Sequence, residues 1–275
     1  MYNIKGVVFV MMCLFFSPFL PAQKSLSGLL DAEKSFAAYT KSHTIREGFL
    51  AFMDSTGLVF KNGKAILAIG YYQNQPLNKA ILSWKPDFAV ISSSGHLGVT
   101  AGPYELRAEK LSDKPVARGH FSSVWKMNVK GEWKNILDLG TEYPVGFVQG
   151  NSLFAKTLDK RNRATAAFDQ VRMADSILNE ALSHQDAPTI ESYLTVETRL
   201  QQNGQLPITG IQKIVQRLLA MPSGTTLQYL GGGNSHEGDL VYTYGVTSLD
   251  NRQGNYLRAW VLQKKVWKLV LQTIR

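Results

Sequence analysis

Asp138 stands in a mostly apolar run, Trp133 to Leu139, and strand alternation sets it on the face opposite Trp133, Leu137 and Leu139. If that face lines a pocket, a carboxylate among apolar walls has a raised pKa and can abstract a proton next to a carbonyl. The plainer reading is a surface carboxylate paired with a nearby lysine. A second group lies in Tyr256 to Val261, where Tyr256, Arg258 and Trp260 share one face and Leu257, Ala259 and Val261 the other. The same register in an earlier stretch presents Phe121, Ser123 and Trp125. An aromatic and cationic ladder of this kind can bind an anionic or carbonyl-bearing ligand, or simply pack a half-buried sheet. Asp239, just after Gly238, is a second candidate base, with turn capping as its structural alternative. Beside either base, Tyr242, Tyr244 or Arg258 would stabilise a developing oxyanion.

Other chemistries find less support. His96, His120 and His236 could act as general acids or bases, but none has an acidic partner apparent in the sequence. The five histidines form no His-x-His or His-Glu-x-x-His spacing, so no metal is expected, and no motif implies a cofactor. Gly231-Gly232-Gly233-Asn234 precedes neither a Lys-Ser/Thr pair nor a helix, which makes it a flexible connection rather than a phosphate loop. No Gly-x-Ser-x-Gly elbow is present.

The elements that must position these residues come in a repeated order. Leu26, Leu29, Leu30, Phe36 and Ala37 recur at helical spacing over 25–42, and Thr44-Ile45-Arg46-Glu47 is spaced as a capping box for a short second helix. Leu58 to Phe60 then enters a tight turn at Asn62-Gly63, and a mixed helical stretch covers 65–73. Strands follow over 84–92, 97–107, 120–129 and 133–139, giving helices and then a four-stranded antiparallel meander. The pattern dissolves over 141–163. A second long helix around Phe168 to Leu182 follows, with a short successor at Ile190 to Leu194, then Asn203-Gly204 and the strands through Tyr242, Trp260 and Trp267. Landmarks kept in order twice imply a duplicated unit.

At the start of the chain, Lys5, the apolar run Val7 to Phe16 and Leu20-Pro21-Ala22 before Gln23 have the pattern of a cleaved export signal. A membrane anchor needs about 18 apolar residues, and Ser17-Pro18 interrupt this run. The expected address is periplasmic or extracellular. Cys13, the one cysteine, lies within the signal, so a mature chain has no disulfide or thiolate chemistry. The formal charge of +9 is scattered, with one dense run at Lys160 to Arg163, and reads as solvated surface. No nucleic-acid partner is expected, nor a membrane once the signal is removed.

Trp84-Lys85-Pro86, Ser94 to Pro103, Val124-Trp125-Lys126 and Trp133-Lys134 together resemble the nuclear transport factor 2-like, or SnoaL-like, superfamily. More narrowly, they resemble the secreted proteins grouped as domain of unknown function 4440. Copy one has His96 where such copies commonly read Gly-Asp-Leu, whereas copy two keeps Asp239. The resemblance implies an α+β fold of two tandem cone-shaped domains (a cystatin-like α+β roll), each a curved antiparallel sheet wrapped around N-terminal helices. The expected division is a signal over 1–22, a first domain over 23–145, a linker over 146–163 and a second domain over 164–275.

The superfamily holds isomerases, cyclases, dehydratases, ligand binders and interaction modules, so the expectation is coarse. One or both pockets would bind a small, largely apolar ligand, with Trp125, Tyr242, Tyr244, Tyr256, Arg258 and Trp260 as candidate contacts. The alternatives are a proton-transfer enzyme acting on a carbonyl compound, with Asp138 or Asp239 as base, and a non-catalytic interaction module. Pairing of the two domains within one chain, or a homodimer, is expected of such sheets.

Overall fold

The structure is a computed structural model that describes residues 24–144 and 152–275; the expected export signal and the first part of the expected linker lie outside the described residues. Ser25 opens helix α1 (Leu26–Ser42) by accepting the Gly28 N–H. Thr44 opens α2 (Ile45–Phe52) through the Glu47 N–H and donates its hydroxyl to Glu47 Oε2 at 2.7 Å, so Glu47 is engaged in the cap. Strand β1 (Met53–Lys61) turns at Asn62 and Gly63, with φ of 50° and 79°, into β2 (Lys64–Leu67). After α3 (Ala68–Gln73) come β3 (Ile81–Trp84), β4 (Phe88–Ile91), β5 (Leu97–Arg107), β6 (Ala117–Met127), β7 (Trp133–Tyr143) and β8 (Phe154–Thr157). The second half runs α4 (Ala167–Ser183), α5 (Ala187–Tyr193), β9 (Arg199–Gln202), β10 (Gln205–Thr209), α6 (Ile211–Leu219), β11 (Thr226–Asn234), β12 (Leu240–Leu249), β13 (Arg252–Gln263) and β14 (Val266–Ile274). Each half thus passes from two helices through a hairpin and a third helix into a meander.

The fold is α+β, with one sheet in each half, but the sheets are mixed rather than antiparallel. The first is ordered β2-β1-β7-β6-β5-β4-β8, with β3 also on β5, and the second β10-β9-β14-β13-β12-β11. Pairs β1/β7 and β9/β14 are parallel because the hairpin that follows the opening helices lies beside the last strand of its meander, and β8, which follows the first meander, adds a parallel pair with β4. Two expectations about irregular segments change. Part of the expected linker is β8, where Phe154 stacks on Phe88 with ring centroids 5.3 Å apart. The three glycines expected in a flexible connection are in strand β11: a Cβ at Gly231 would come within 2.5 Å of the Tyr244 hydroxyl, so their bareness admits aromatic rings across the strand.

Each sheet buries both faces. One face of the first sheet packs on α1 to α3 through Phe36, Phe49, Trp125 and Trp133, and one face of the second packs on α4 to α6 through Val171, Leu178, Tyr256 and Trp260. The opposite faces meet each other: Val99, Val124, Leu137 and Leu139 share a cluster with Leu240, Leu257, Ala259 and Leu271. Register irregularities at Ile136 and Val270 decide which side chain goes where. Beyond the first, Trp133 joins the helix side while Leu137 and Leu139 face the other sheet, so Asp138 and Trp133 share a face that plain alternation assigns to opposite sides.

Polar pins cross the shared layer. Arg199 donates to Asp87 at 2.6 and 3.3 Å, Ser122 to Gln201 at 2.8 Å, and Asn255 to the Gly63 carbonyl at 3.0 Å. Because the Asp87 and Arg199 side chains are only 7% and 8% exposed, removing one strands the other charge. Asp87→Ala is expected to lower unfolding free energy by about 3–5 kcal/mol in urea denaturation, and Asp87→Leu with Arg199→Met to recover most of the loss. A loss within the about 0.5 kcal/mol of an ordinary surface change would refute the pin.

Candidate functional site

The first helix of each half carries a carboxylate on its buried stripe. In α1 the stripe is Leu29, Glu33, Phe36, and in α4 it is Val171, Asp175, Leu178, both at spacings of four and three. A fully buried carboxylate needs donors, and the sheets supply them. Glu33 accepts from Trp84 Nε1 at 2.6 Å, Thr100 Oγ1 at 2.5 Å and Trp125 Nε1 at 2.8 Å. Asp175 accepts from Thr243 Oγ1 at 2.6 Å and Tyr256 OH at 2.7 Å, and Trp260 Nε1 donates to Thr243 at 3.1 Å. The same helix carboxylate, strand threonine and strand tryptophan therefore frame both interiors.

What fills the frame differs. In the second half Arg258, fully buried, donates to Asp175 at 3.0 Å, Asn179 at 2.8 Å and Gln272 at 3.1 Å, and lies 4.7 Å from the Tyr256 ring. In the first half the cross-strand pair at this position is Ser123 and Asp138, joined by a 2.7 Å hydrogen bond, where the second half has Arg258 and Gln272. The shorter pair leaves a cavity of about 270 Å³, walled by Phe36, Leu82, Trp84, Leu106 and Phe121 and ending on Asp138.

Electrostatics at Asp138 follow from this setting. Burial pushes its pKa up to about 6 against the hydrogen bond from Ser123 and the charge of Arg275. Burial likewise raises Glu33 to about 7, opposed by its hydrogen bonds, while Asp138 adds to the rise. Tyr72 and Tyr104, also cavity walls, are held well above the ordinary phenol range by burial with Asp138 contributing, so both remain proton donors near neutral pH. The second half reaches the site through Arg275, whose guanidinium lies 3.6 Å from Glu142. A base near neutrality, two phenols and a cation thus surround one end of an apolar cavity. Among the described residues no cluster of His, Cys, Asp or Glu could hold a metal ion.

The other sequence candidates sit elsewhere. Asp239 is fully buried between the halves, accepting the Ser93 N–H at 2.8 Å and the Ser235 hydroxyl at 2.5 Å, so it ties loops together rather than facing a cavity. Tyr242 and Tyr244 point into the layer between the sheets, where Tyr244 meets Phe60 edge-on at 5.7 Å; they lie on the face opposite Thr243 and the second interior. Tyr256, Arg258 and Trp260 share one face, but they hydrogen-bond within their own half and wall none of the cavities described here. Trp125 is fully buried with its indole N–H on Glu33 and is not a wall of the cavity. His120 is buried between the sheets, where burial and then Arg199 push its pKa down to about 3. His96 and His236 bring their rings to 5.1 Å across the halves. Glu33, Asp175, Tyr72, Tyr104 and Arg275 are not among the sequence candidates; for Glu33 and Asp175 the available signal is an acidic position inside an apolar helical stripe.

No family model matches the chain, and no curated protein matches it in sequence. Several solved structures are similar to part of it. A protein of unknown function from the DUF3225 family of Pectobacterium atrosepticum is 17% identical, the match covering 40% of this chain and 91% of that one with a TM-score of 0.36. An NTF2-like protein of unknown function from Pseudomonas putida is 14% identical over 41% and 87%, TM-score 0.36. A protein of unknown function with a cystatin-like fold from Nostoc punctiforme is 15% identical over 41% and 92%, TM-score 0.35. Likeness at this level brings no activity, ligand or partner to this chain.

The raised pKa of Glu33 fixes the sign of a pH effect. Between about 4.5 and 7 the folded chain holds a proton that the unfolded chain releases, so this group favours folding at low pH and its contribution is lost as pH rises. Glu33→Gln, which cannot ionise, is expected to gain on the wild type by on the order of 3 kcal/mol between pH 4.5 and 8 in urea denaturation. A difference that stays flat across that range would show that Glu33 is ionised throughout.

Proposed function

We propose that this chain is an exported tandem pair of NTF2-like units, resembling the proteins grouped as domain of unknown function 4440, whose first unit binds a small, largely apolar molecule. The observation that carries the reading is the contrast between two like-framed interiors. The second is occupied by Arg258 and its partners, while the first keeps an apolar cavity ending on a half-buried aspartate. The mature unit works outside the cytoplasm, after removal of residues 1–22. Among the described residues no helix is long and apolar enough to cross a membrane. The face on which such sheets pair is covered by the other half, which supports pairing of the two units within one chain.

Native mass spectrometry of the chain purified from its own host, followed by denaturation, tests the reading. The expected result is one small apolar molecule released per chain, and none from Leu106→Trp, which fills the cavity at its half-buried wall. Release of the same molecule from a filled variant that unfolds normally would move the site elsewhere.

A second reading is favoured by Asp138 itself. With a pKa of about 6 and the Tyr72 and Tyr104 phenols on the same walls, it has what proton abstraction next to a carbonyl requires: a base and hydroxyls to hold the oxyanion. If the released molecule is a carbonyl compound, its adjacent C–H is expected to exchange with solvent deuterium on the protein. The rate should rise with pH through about 6 as Asp138 loses its proton. Asp138→Asn should slow exchange about 10²- to 10⁴-fold. Exchange at the wild-type rate in that variant would leave binding alone.

A further inference from the structure

The first-half cavity continues past Asp138. Tyr72, Asp138, Gly140 and Arg275 wall both this cavity and a larger cleft of about 800 Å³ between the halves. One side of the cleft is β1 with its Asn62-Gly63 turn, and the other includes the β12–β13 turn and Met221-Pro222 after α6. Neither half alone forms it.

Its charge is one-sided. Lys61, Arg252 and Arg275 stand on the walls, and among the described residues Asp138 is the one acidic side chain on the walls of either space. Arg252 is exposed and its side chain has no partner among the described residues. Lys61 Nζ lies 5.5 Å from the centre of the Tyr71 ring, and Arg275, with 43% of its side chain exposed, lies 3.6 Å from Glu142. Three cations around a concave space raise the local concentration of anions and offer charge-assisted hydrogen bonds to one that enters. An apolar chamber opening at a shared wall onto a cationic cleft matches a ligand with two unlike ends.

Given that the first half binds a small molecule, we infer that this molecule is an anionic amphiphile, with its apolar part in the cone and its carboxylate, sulfonate or phosphate group in the cleft against Arg252, Arg275 and Lys61. Two of those cations belong to the second half. The half with the filled interior therefore completes the site of the other, in place of carrying a second one.

The test uses the mature chain and two probes of one shape, 2-naphthylacetate and neutral 2-(2-naphthyl)ethanol, titrated against tryptophan fluorescence, since Trp84 is a cavity wall. The ratio of their affinities is read within each protein. In the wild type at low salt the anion is expected to bind about tenfold tighter. That advantage should fall below about twofold in Arg252→Gln/Arg275→Gln, and it should shrink in the wild type as salt shortens the Debye length to about 8 Å or less. Equal affinities in the wild type, or an advantage that survives the double substitution, would overturn the inference. If neither probe binds the wild type, the binding reading itself falls, a result distinct from both.

Discussion

Everything in this chain depends on two curved sheets packed against each other. A sheet covered by helices on one face still presents a second apolar face, and here each half covers the other's, with Val124, Leu137 and Leu139 against Leu257, Ala259 and Leu271. Burial on both faces leaves almost no position in the long strands free of packing duty. It also makes polar residues in the shared layer demanding: Asp87 with Arg199, Ser122 with Gln201 and Asp239 with Ser93 each require a specific partner across the halves. These contacts orient the sheets, where apolar contact alone would let them slide. The same packing brings β14 against β7 and so carries Arg275 to the mouth of the first-half cavity.

Within that frame the two interiors show how one arrangement supports opposite outcomes. A carboxylate on the first helix, a threonine and a tryptophan recur in each, and the tryptophan and threonine bonds hold the helix over its sheet. The outcome turns on one cross-strand pair. Arg258 with Gln272 brings a guanidinium that needs partners once buried; Gln272 takes its Nε, and Asp175 and Asn179 its Nη1, leaving the second interior committed. Ser123 with Asp138 is shorter and carries one acid, held by one hydroxyl, with apolar walls around it.

Much of this was legible in the sequence, for reasons that also mark where legibility ends. Helix caps, the Asn62-Gly63 turn, the order of elements and the shared face of Tyr256, Arg258 and Trp260 follow from local chemistry and period. Asp138 was legible as an acid in an apolar run, but its companions were not. The irregularity at Ile136 rotates the strand by one residue, and nothing in Trp133 to Leu139 announces it. Tyr242 and Tyr244 carried the right chemistry for a site, yet which face of β12 meets helices and which meets the other sheet is a property of the whole fold. The glycines of β11 read as a connection because their role depends on rings from the neighbouring strand. Arg275 has no motif at all; its place comes from the packing of one half on the other.

The open interior also bears on how the halves differ in purpose. Nothing in the fold forces the cavity to stay empty, since the second half closes an equivalent frame with ordinary side chains, and unfilled apolar space forfeits contacts that stabilise a core. A desolvated aspartate adds to that cost, for burial disfavours its charged form and the hydroxyl of Ser123 offsets only part of it. A leucine at 138 would remove the desolvation cost and extend the apolar wall. An acid kept where an apolar residue would be more stable is what the proposed site in the first half would account for, and it stands on a wall shared with the cleft that the second half helps to form.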